Sequence, residues 1–123
     1  MISYVTIGVS DMDKAKAFYS ELLSGVGAKL TMDMERIAFF GTDEGGAMLS
    51  ICVPFNEESP QPGNGNMVAI NPGSKEAVDS LYKKAIALGA SCDGEPGQRI
   101  PDMFYGAYFR DLDGNKICFA HFG

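Results

Sequence analysis

An internal repeat constrains this chain more than any other feature of its sequence. One helical pattern of apolar residues, at positions i, i+3, i+4 and i+7, occurs twice, and the two copies lie 63 positions apart. The first copy consists of Ala15, Phe18, Tyr19 and Leu22, and the second of Val78, Leu81, Tyr82 and Ala85. Such a repeat predicts one supersecondary unit built twice, in which each copy must bury its own apolar stripe.

Strand-like runs surround both predicted helices in the same order. "ISYVTIGV" precedes the first helix, which Ser10 or Asp11 can cap, and "NMVAIN" precedes the second, which Ser74 can cap. The closing strands match at an offset of 68, which pairs "GGAMLSICV" with "DGNKICFAH". The repeated order of strand, helix and three strands predicts an α+β fold. It consists of two βαβββ modules, 1–54 and 66–123, joined by a linker over 55–65.

Length and charge exclude several classes of function. The 123 residues are enough for one domain, and 16 acidic against 10 basic residues give a net charge of -6. This charge argues against nucleic acid and against an anionic membrane surface as partners. No apolar stretch could span a bilayer and the N-terminus lacks a signal-peptide pattern, so we expect a cytoplasmic protein. The three cysteines form no paired motif and are expected to be reduced thiols.

Side-chain alternation gives each predicted sheet two different faces. The face expected to lie under the helix is apolar, and it carries Val5, Ile7, Val9, Leu49, Ile51 and Val53 in the first module and Val68, Ile70, Ile117 and Phe119 in the second. The opposite face is mixed in character, as the lining of a pocket often is. It carries Tyr4, Thr6, Met48, Ser50, Cys52, Met67, Ala69, Lys116, Cys118 and Ala120. His121, the only histidine, has the parity of the helix side, so Cys118 is expected to be a structural thiol rather than a nucleophile.

Three stretches of the sequence resemble the vicinal oxygen chelate superfamily, which groups glyoxalase I, extradiol dioxygenases and the bleomycin and fosfomycin resistance proteins. They are "VTIGVSDMDKAKAFYSELL", "VAINPGSKEAVDSLYKKAIALGA" and "FYGAYFRDLDGNKI". The resemblance covers essentially the whole chain. It implies a glyoxalase-like fold, in which the two βαβββ modules form a curled mixed sheet with a central cleft, and it implies a homodimer.

Metal-dependent members of this superfamily carry their ligands on the first and last strands of each module. By residue matching, those positions are Tyr4, Ser50, Met67 and Cys118 in this chain. A phenol, a hydroxyl and a thioether are poor donors for a divalent ion, so no metal cofactor is expected. The resemblance then implies a metal-independent protein that binds an apolar or aromatic small molecule in the cleft. The predicted lining is Tyr4, Ser50, Met67, Cys118 and Tyr105, together with Met48 and Arg110.

Two other functions remain open at this point. One is a metal-dependent lyase or dioxygenase that collects non-standard ligands, such as Cys118, His121 and Asp102. The other is a fold kept only as an interaction module, which predicts a filled cleft.

Two local motifs also invite an interpretation. The "DLDGN" motif at 111–115 resembles a calcium loop, but the sixth position is Lys116 and the twelfth is Phe122, so a turn between strands is expected instead. The glycines and prolines of 93–103 suggest a loop that could cover the cleft as a lid.

Overall fold

The repeat is present in the computed structural model, which describes all 123 residues. The chain divides into two compact units, Met1–Pro62 and Gly63–Gly123, and the division falls inside the segment predicted as a linker. The first unit contains β1 (Tyr4–Gly8), α1 (Met12–Leu23), a short 3-10 helix (Ser24–Val26), β2 (Ala28–Asp33), β3 (Ile37–Thr42) and β4 (Met48–Cys52). The second contains β5 (Val68–Ile70), α2 (Lys75–Ala87), β6 (Ser91–Ile100), β7 (Phe104–Arg110) and β8 (Lys116–His121).

Each unit holds one four-stranded mixed sheet. The strand order is β1-β4-β3-β2 in the first sheet and β5-β8-β7-β6 in the second. In both sheets the first strand of the unit pairs in parallel with its last strand, and the other pairs are antiparallel. The predicted α+β fold of two βαβββ modules is therefore confirmed. The strands form two separate sheets, and neither closes on itself.

Side-chain caps start both helices where the sequence predicted them. The carboxylate of Asp11 accepts a hydrogen bond from the backbone N–H of Lys14 (3.1 Å), and the hydroxyl of Ser74 accepts one from the N–H of Ala77 (3.1 Å). Each cap satisfies a donor that has no partner within its helix and contributes about 1 kcal/mol. The two helices thus begin at equivalent points of the repeat.

The helices bury the predicted stripes against their own sheets. Ala15, Phe18, Tyr19 and Leu22 are buried in α1, and Val78, Leu81 and Ala85 are buried in α2. α1 packs on β2, β3 and β4, and α2 packs on β6, β7 and β8. Tyr82 alone among the predicted positions is only half-buried. Neither helix is long and apolar enough to cross a membrane.

The strand at the edge of the first sheet is less buried than its sequence suggested. Leu49 and Ile51 on β4 are buried under α1, but Val5 on β1 remains 38% exposed. β1 lies at the edge of the sheet, and α1 packs mainly on β2, β3 and β4, which leaves part of this valine exposed.

The segment 93–103 is not a lid loop, so that interpretation was wrong. Residues up to Ile100 belong to β6, the edge strand of the second sheet, and a turn at 101–103 leads into β7. The pairing register shifts at three places along β6. These irregularities and the edge position accommodate Pro96 and the glycines that suggested a loop.

The "DLDGN" motif forms the predicted turn. The carboxylate of Asp111 accepts hydrogen bonds from the backbone N–H groups of Asp113 (2.9 Å) and Asn115 (2.8 Å) and from the side-chain amide of Asn115 (3.0 Å). Asp111 and Asn115 are buried in this contact. The carboxylate therefore holds the turn between β7 and β8.

Candidate functional site

The helix-free face of the first sheet carries the side chains predicted for a binding surface. Register places Tyr4 opposite Met48, Thr6 opposite Ser50, and Gly8 opposite Cys52 across the parallel pair β1 and β4. Because residues directly opposite each other share a face, these side chains lie together on the side away from α1. Tyr4 and Thr6 are exposed, and Met48 and Cys52 are half-buried. This face is thus open at β1.

Ser50 lies at the centre of this face and lacks a hydrogen-bond partner. Its side chain is completely buried, and its Oγ atom has no partner. Phe39 lies directly opposite Ser50 on β3, and the ring of Phe39 meets the ring of Tyr4 edge to face at 5.0 Å. Since β1 and β3 flank β4, the two rings meet above β4 and shield the hydroxyl from solvent. An unpaired buried hydroxyl is rare, because leaving it unpaired costs about 1–3 kcal/mol.

The helix-free face of the second sheet is organised around Cys118. Cys118 pairs with Ala69 on β5 and with Tyr108 on β7, and it is completely buried. Met67 directly precedes β5 and is 45% exposed, next to the exposed Ala69. Arg110 pairs with Lys116, so both share the face of Cys118.

Cys118 is a protonated thiol in this setting. Burial raises its pKa, while hydrogen bonds with Ala107 and Tyr108 and the charges of Arg99 and Lys116 oppose part of that rise. Desolvation disfavours the thiolate, which is the form that attacks electrophiles and binds metals. The structure therefore gives Cys118 no activation as a nucleophile.

Tyr105 lies on the other side of the second sheet from Cys118. It pairs with His121, and its hydroxyl donates a hydrogen bond to the carboxylate of Asp79 on α2 at 2.6 Å, which raises its pKa. The sequence prediction had placed Tyr105 with Arg110 in one cleft lining. The two are five positions apart on one strand, and the structure shows that they face opposite sides.

A recess of about 340 Å³ lies on this helix side of the second unit. It is lined by Asp79, Tyr82, Lys83, Glu95, Pro96 and Tyr105. The pKa of Tyr82 is raised to about 12, mainly by a hydrogen bond with Cys92 and to a smaller extent by burial. Both tyrosines of the recess thus remain protonated donors at neutral pH. The sequence did not indicate this recess, because α2 and β6 form it together.

The side chains present do not fit the divalent metal of the metal-dependent relatives. Of the matched positions, Ser50 presents a neutral hydroxyl, Cys118 a protonated thiol, and Tyr4 and Met67 a phenol and a thioether. No three histidine, cysteine, aspartate or glutamate side chains come together in a group that could hold a metal ion. Cys118 and His121 also have opposite parity on β8, so they do not form the alternative ligand set with Asp102.

Two residues of these faces were not singled out by the sequence interpretation. Phe39 lies opposite Ser50 and contacts the ring of Tyr4, and Tyr108 lies opposite Cys118. Alternation along "FYGAYFR" could have found Tyr108, because it lies two positions from Arg110. Phe39 could be found only once the register between β3 and β4 was known.

The fold and these faces define a glyoxalase-type protein. A family model described as Glyoxalase/Bleomycin resistance protein/Dioxygenase superfamily matches residues 1–119. The chain belongs to this superfamily, as the sequence resemblance predicted. No curated protein matches it.

Solved structures support the same assignment. A glyoxalase/bleomycin resistance protein from Albidiferax ferrireducens T118 is 34% identical, with 98% of each chain covered and a TM-score of 0.89. Two others share the fold. A glyoxalase/bleomycin resistance protein/dioxygenase family enzyme from Burkholderia phytofirmans PsJN is 23% identical, with 96% of this chain and 95% of that chain covered and a TM-score of 0.77. A lactoylglutathione lyase from Agrobacterium tumefaciens is 22% identical, with 98% and 92% covered and a TM-score of 0.70.

Proposed function

We propose that this protein binds a small apolar or aromatic molecule on the helix-free faces of its sheets, and that it does so without a divalent metal. The observation that carries the proposal is Ser50, whose buried hydroxyl has no partner within the protein. A ligand that displaces the ring of Tyr4 would gain the ring face of Phe39 and a hydrogen bond to this hydroxyl. Such a bond adds about 0.5–1.5 kcal/mol to binding.

The chemistry of the surrounding side chains supports a ligand of this class. In the first unit, Met48 is a flexible thioether that adapts to apolar or planar groups, and Tyr4 and Phe39 offer rings for stacking. Polar groups are few on this face of the first sheet. Sites for small molecules commonly combine apolar walls with a few polar anchors in this way.

A thermal-shift screen of aromatic and amphipathic compounds tests the proposal. A compound present at 100 times its dissociation constant stabilises the protein by about 2.7 kcal/mol, which is easily measured. We expect at least one compound to raise Tm. Ser50→Ala should reduce the rise in Tm that this compound causes, and Ser74→Ala should not. A broad panel with no stabilising compound would contradict the proposal.

Metal analysis separates this function from a metal-dependent enzyme. Protein purified without chelator is expected to hold far less than one equivalent of zinc, nickel, manganese or iron. Stoichiometric metal that survives dialysis would instead support a lyase or dioxygenase with ligands outside the matched positions.

We further propose that the protein works as a cytoplasmic homodimer. Large apolar side chains remain exposed, among them Phe55 (87%) and Met103 (59%), and an interface would bury such groups. Sedimentation equilibrium is expected to give twice the chain mass of 13.2 kDa. A single species of chain mass at micromolar concentration would contradict the dimer.

A further inference from the structure

Two cationic side chains lie against the ring of Tyr108 on the helix-free face of the second sheet. The guanidinium carbon of Arg99 is 5.4 Å from the ring centroid, and Nζ of Lys116 is 5.2 Å from it. Arg99 comes from β6 and Lys116 from β8, the two neighbours of β7. The ring of Tyr108 therefore brings together cations from both sides, at a distance typical of cation–π contacts.

The charges of this cluster do not balance. Arg110 Nε lies 3.0 Å and Lys116 Nζ 3.4 Å from the same oxygen of Asp93, so one carboxylate serves two cations. Arg99 has no carboxylate partner, and its guanidinium donates instead to the backbone carbonyl of Glu95. Three cations face one carboxylate, although the whole chain carries a net charge of -6. The imbalance is local, and it favours an anion as the missing partner.

Two glycines of β6 provide the space that Arg99 and Tyr108 occupy. A Cβ atom at Gly94 would lie 2.8 Å from Cδ2 of Tyr108 and 3.3 Å from a guanidinium nitrogen of Arg99. A Cβ atom at Gly97 would lie 3.3 Å from the other terminal nitrogen of Arg99. The two glycines thus leave room for the guanidinium to stack on the ring, and a side chain at either position would crowd it.

An apolar surface adjoins this cationic cluster on the same face. The ring of Phe104 lies over Gly106, where a Cβ atom would come within 2.8 Å of it, and it packs against the exposed ring of Phe122 at 5.7 Å. Phe104 is four positions from Tyr108, about 13 Å along the strand. Because the ring of Phe104 lies over Gly106, it comes closer to Tyr108 than this spacing. A molecule with an anionic end and an apolar end could contact both regions.

We propose that Arg99, Lys116 and Tyr108 bind the carboxylate or phosphate of a small amphipathic anion whose apolar part lies on Phe104 and Phe122. This inference deepens the proposed function and rests on it, because it assumes that the helix-free face is the binding surface. The guanidinium supplies paired N–H donors, which match the two oxygens of a carboxylate or phosphate. Lys116 supplies a second charge, and the ring of Tyr108 holds both cations on the same face.

A matched series of naphthyl compounds tests the charge requirement. The dissociation constants of 2-naphthoate, 2-naphthyl phosphate and the neutral 2-naphthamide are measured by calorimetry at constant ionic strength. Charge-assisted hydrogen bonds predict that the two anions bind about tenfold or more tightly than the amide. Arg99→Gln is expected to remove most of this difference, because it weakens binding of the two anions far more than binding of the amide.

Lys14→Gln is the matched control, because Lys14 is an exposed cation on α1 and the substitution changes the net charge equally. It should preserve the preference for anions. Equal affinities for naphthoate and naphthamide, or equal effects of the two substitutions, would overturn the inference and leave the proposed function standing.

Inorganic phosphate provides a readout that does not depend on an apolar ligand. It is expected to shift the Arg99 side-chain NMR resonance in a saturable manner. If phosphate does so while no compound of the aromatic panel binds, the anion site stands and the proposed function fails. If phosphate leaves Arg99 unchanged and no anion is preferred, the anion site is overturned.

Discussion

Replacing Ser50 by alanine should stabilise this protein, although the substitution removes a polar group from its interior. The hydroxyl is completely buried and has no partner, so its desolvation cost, about 1–3 kcal/mol, is uncompensated. Loss of one oxygen also removes packing contacts, which offsets part of that gain, by about 0.5–1 kcal/mol. The expected net effect is about 1 kcal/mol of added stability.

The assay is thermal unfolding followed by circular dichroism. With about 2.1 cal/mol/K of unfolding entropy per residue, a chain of 123 residues should gain about 4 °C in Tm for each 1 kcal/mol. Ser74→Ala is the matched control, since it deletes the cap of α2 and should lower stability by about 1 kcal/mol. Destabilisation by Ser50→Ala as large as that of the control would refute the reasoning, because it would mean that the hydroxyl is bonded in the folded state.

The remaining predictions concern three side chains outside that pair. Tyr105→Phe should lower stability by about 1 kcal/mol, through loss of the hydrogen bond to Asp79 on the helix side. It should leave ligand binding unchanged, and weakened binding in calorimetry would contradict a ligand on the helix-free face. Cys118 should react with iodoacetamide far more slowly than the exposed Cys92 at pH 8, as mass spectrometry can measure. The pKa of Cys118 is higher in the folded protein than in the unfolded chain, so the unfolded chain loses this proton first as pH rises. The contribution of the Cys118 thiol to stability is therefore complete below about pH 8.5 and falls as pH rises above that value. Asp111→Ala should cost about 2–3 kcal/mol in denaturant unfolding, and added calcium should not change the wild-type midpoint.

The architecture could be predicted from the sequence because the same pattern of strands and helix occurs in both halves of the chain. The stripe of Phe18 and Leu22 and its counterpart in α2 fixed both helices, and the alternation around Cys118 assigned the two faces of β8 correctly. Hydrophobic period and caps are local signals, and they act over a few residues.

The details of the site could not be predicted, because they depend on contacts between residues that lie far apart in the sequence. Tyr105 and Arg110 are an odd number of positions apart and so cannot share a face of β7, and only the contact of Tyr105 with Asp79 on α2 shows which face each occupies. The stacking of Arg99 on Tyr108 depends on the register shifts of β6. The lack of a partner for the Ser50 hydroxyl is also a property of the whole packed sheet.

The most direct test of the account maps where a ligand binds. The tightest compound from the aromatic panel is titrated into labelled protein, and backbone amide shifts are recorded by NMR. We predict the largest shifts on a helix-free face, at Tyr4 and Ser50 if the compound binds the first sheet and at Cys118 and Tyr108 if it binds the second. Shifts confined to Asp79, Tyr82 and Glu95 would place the ligand in the recess beside α2 and contradict the account.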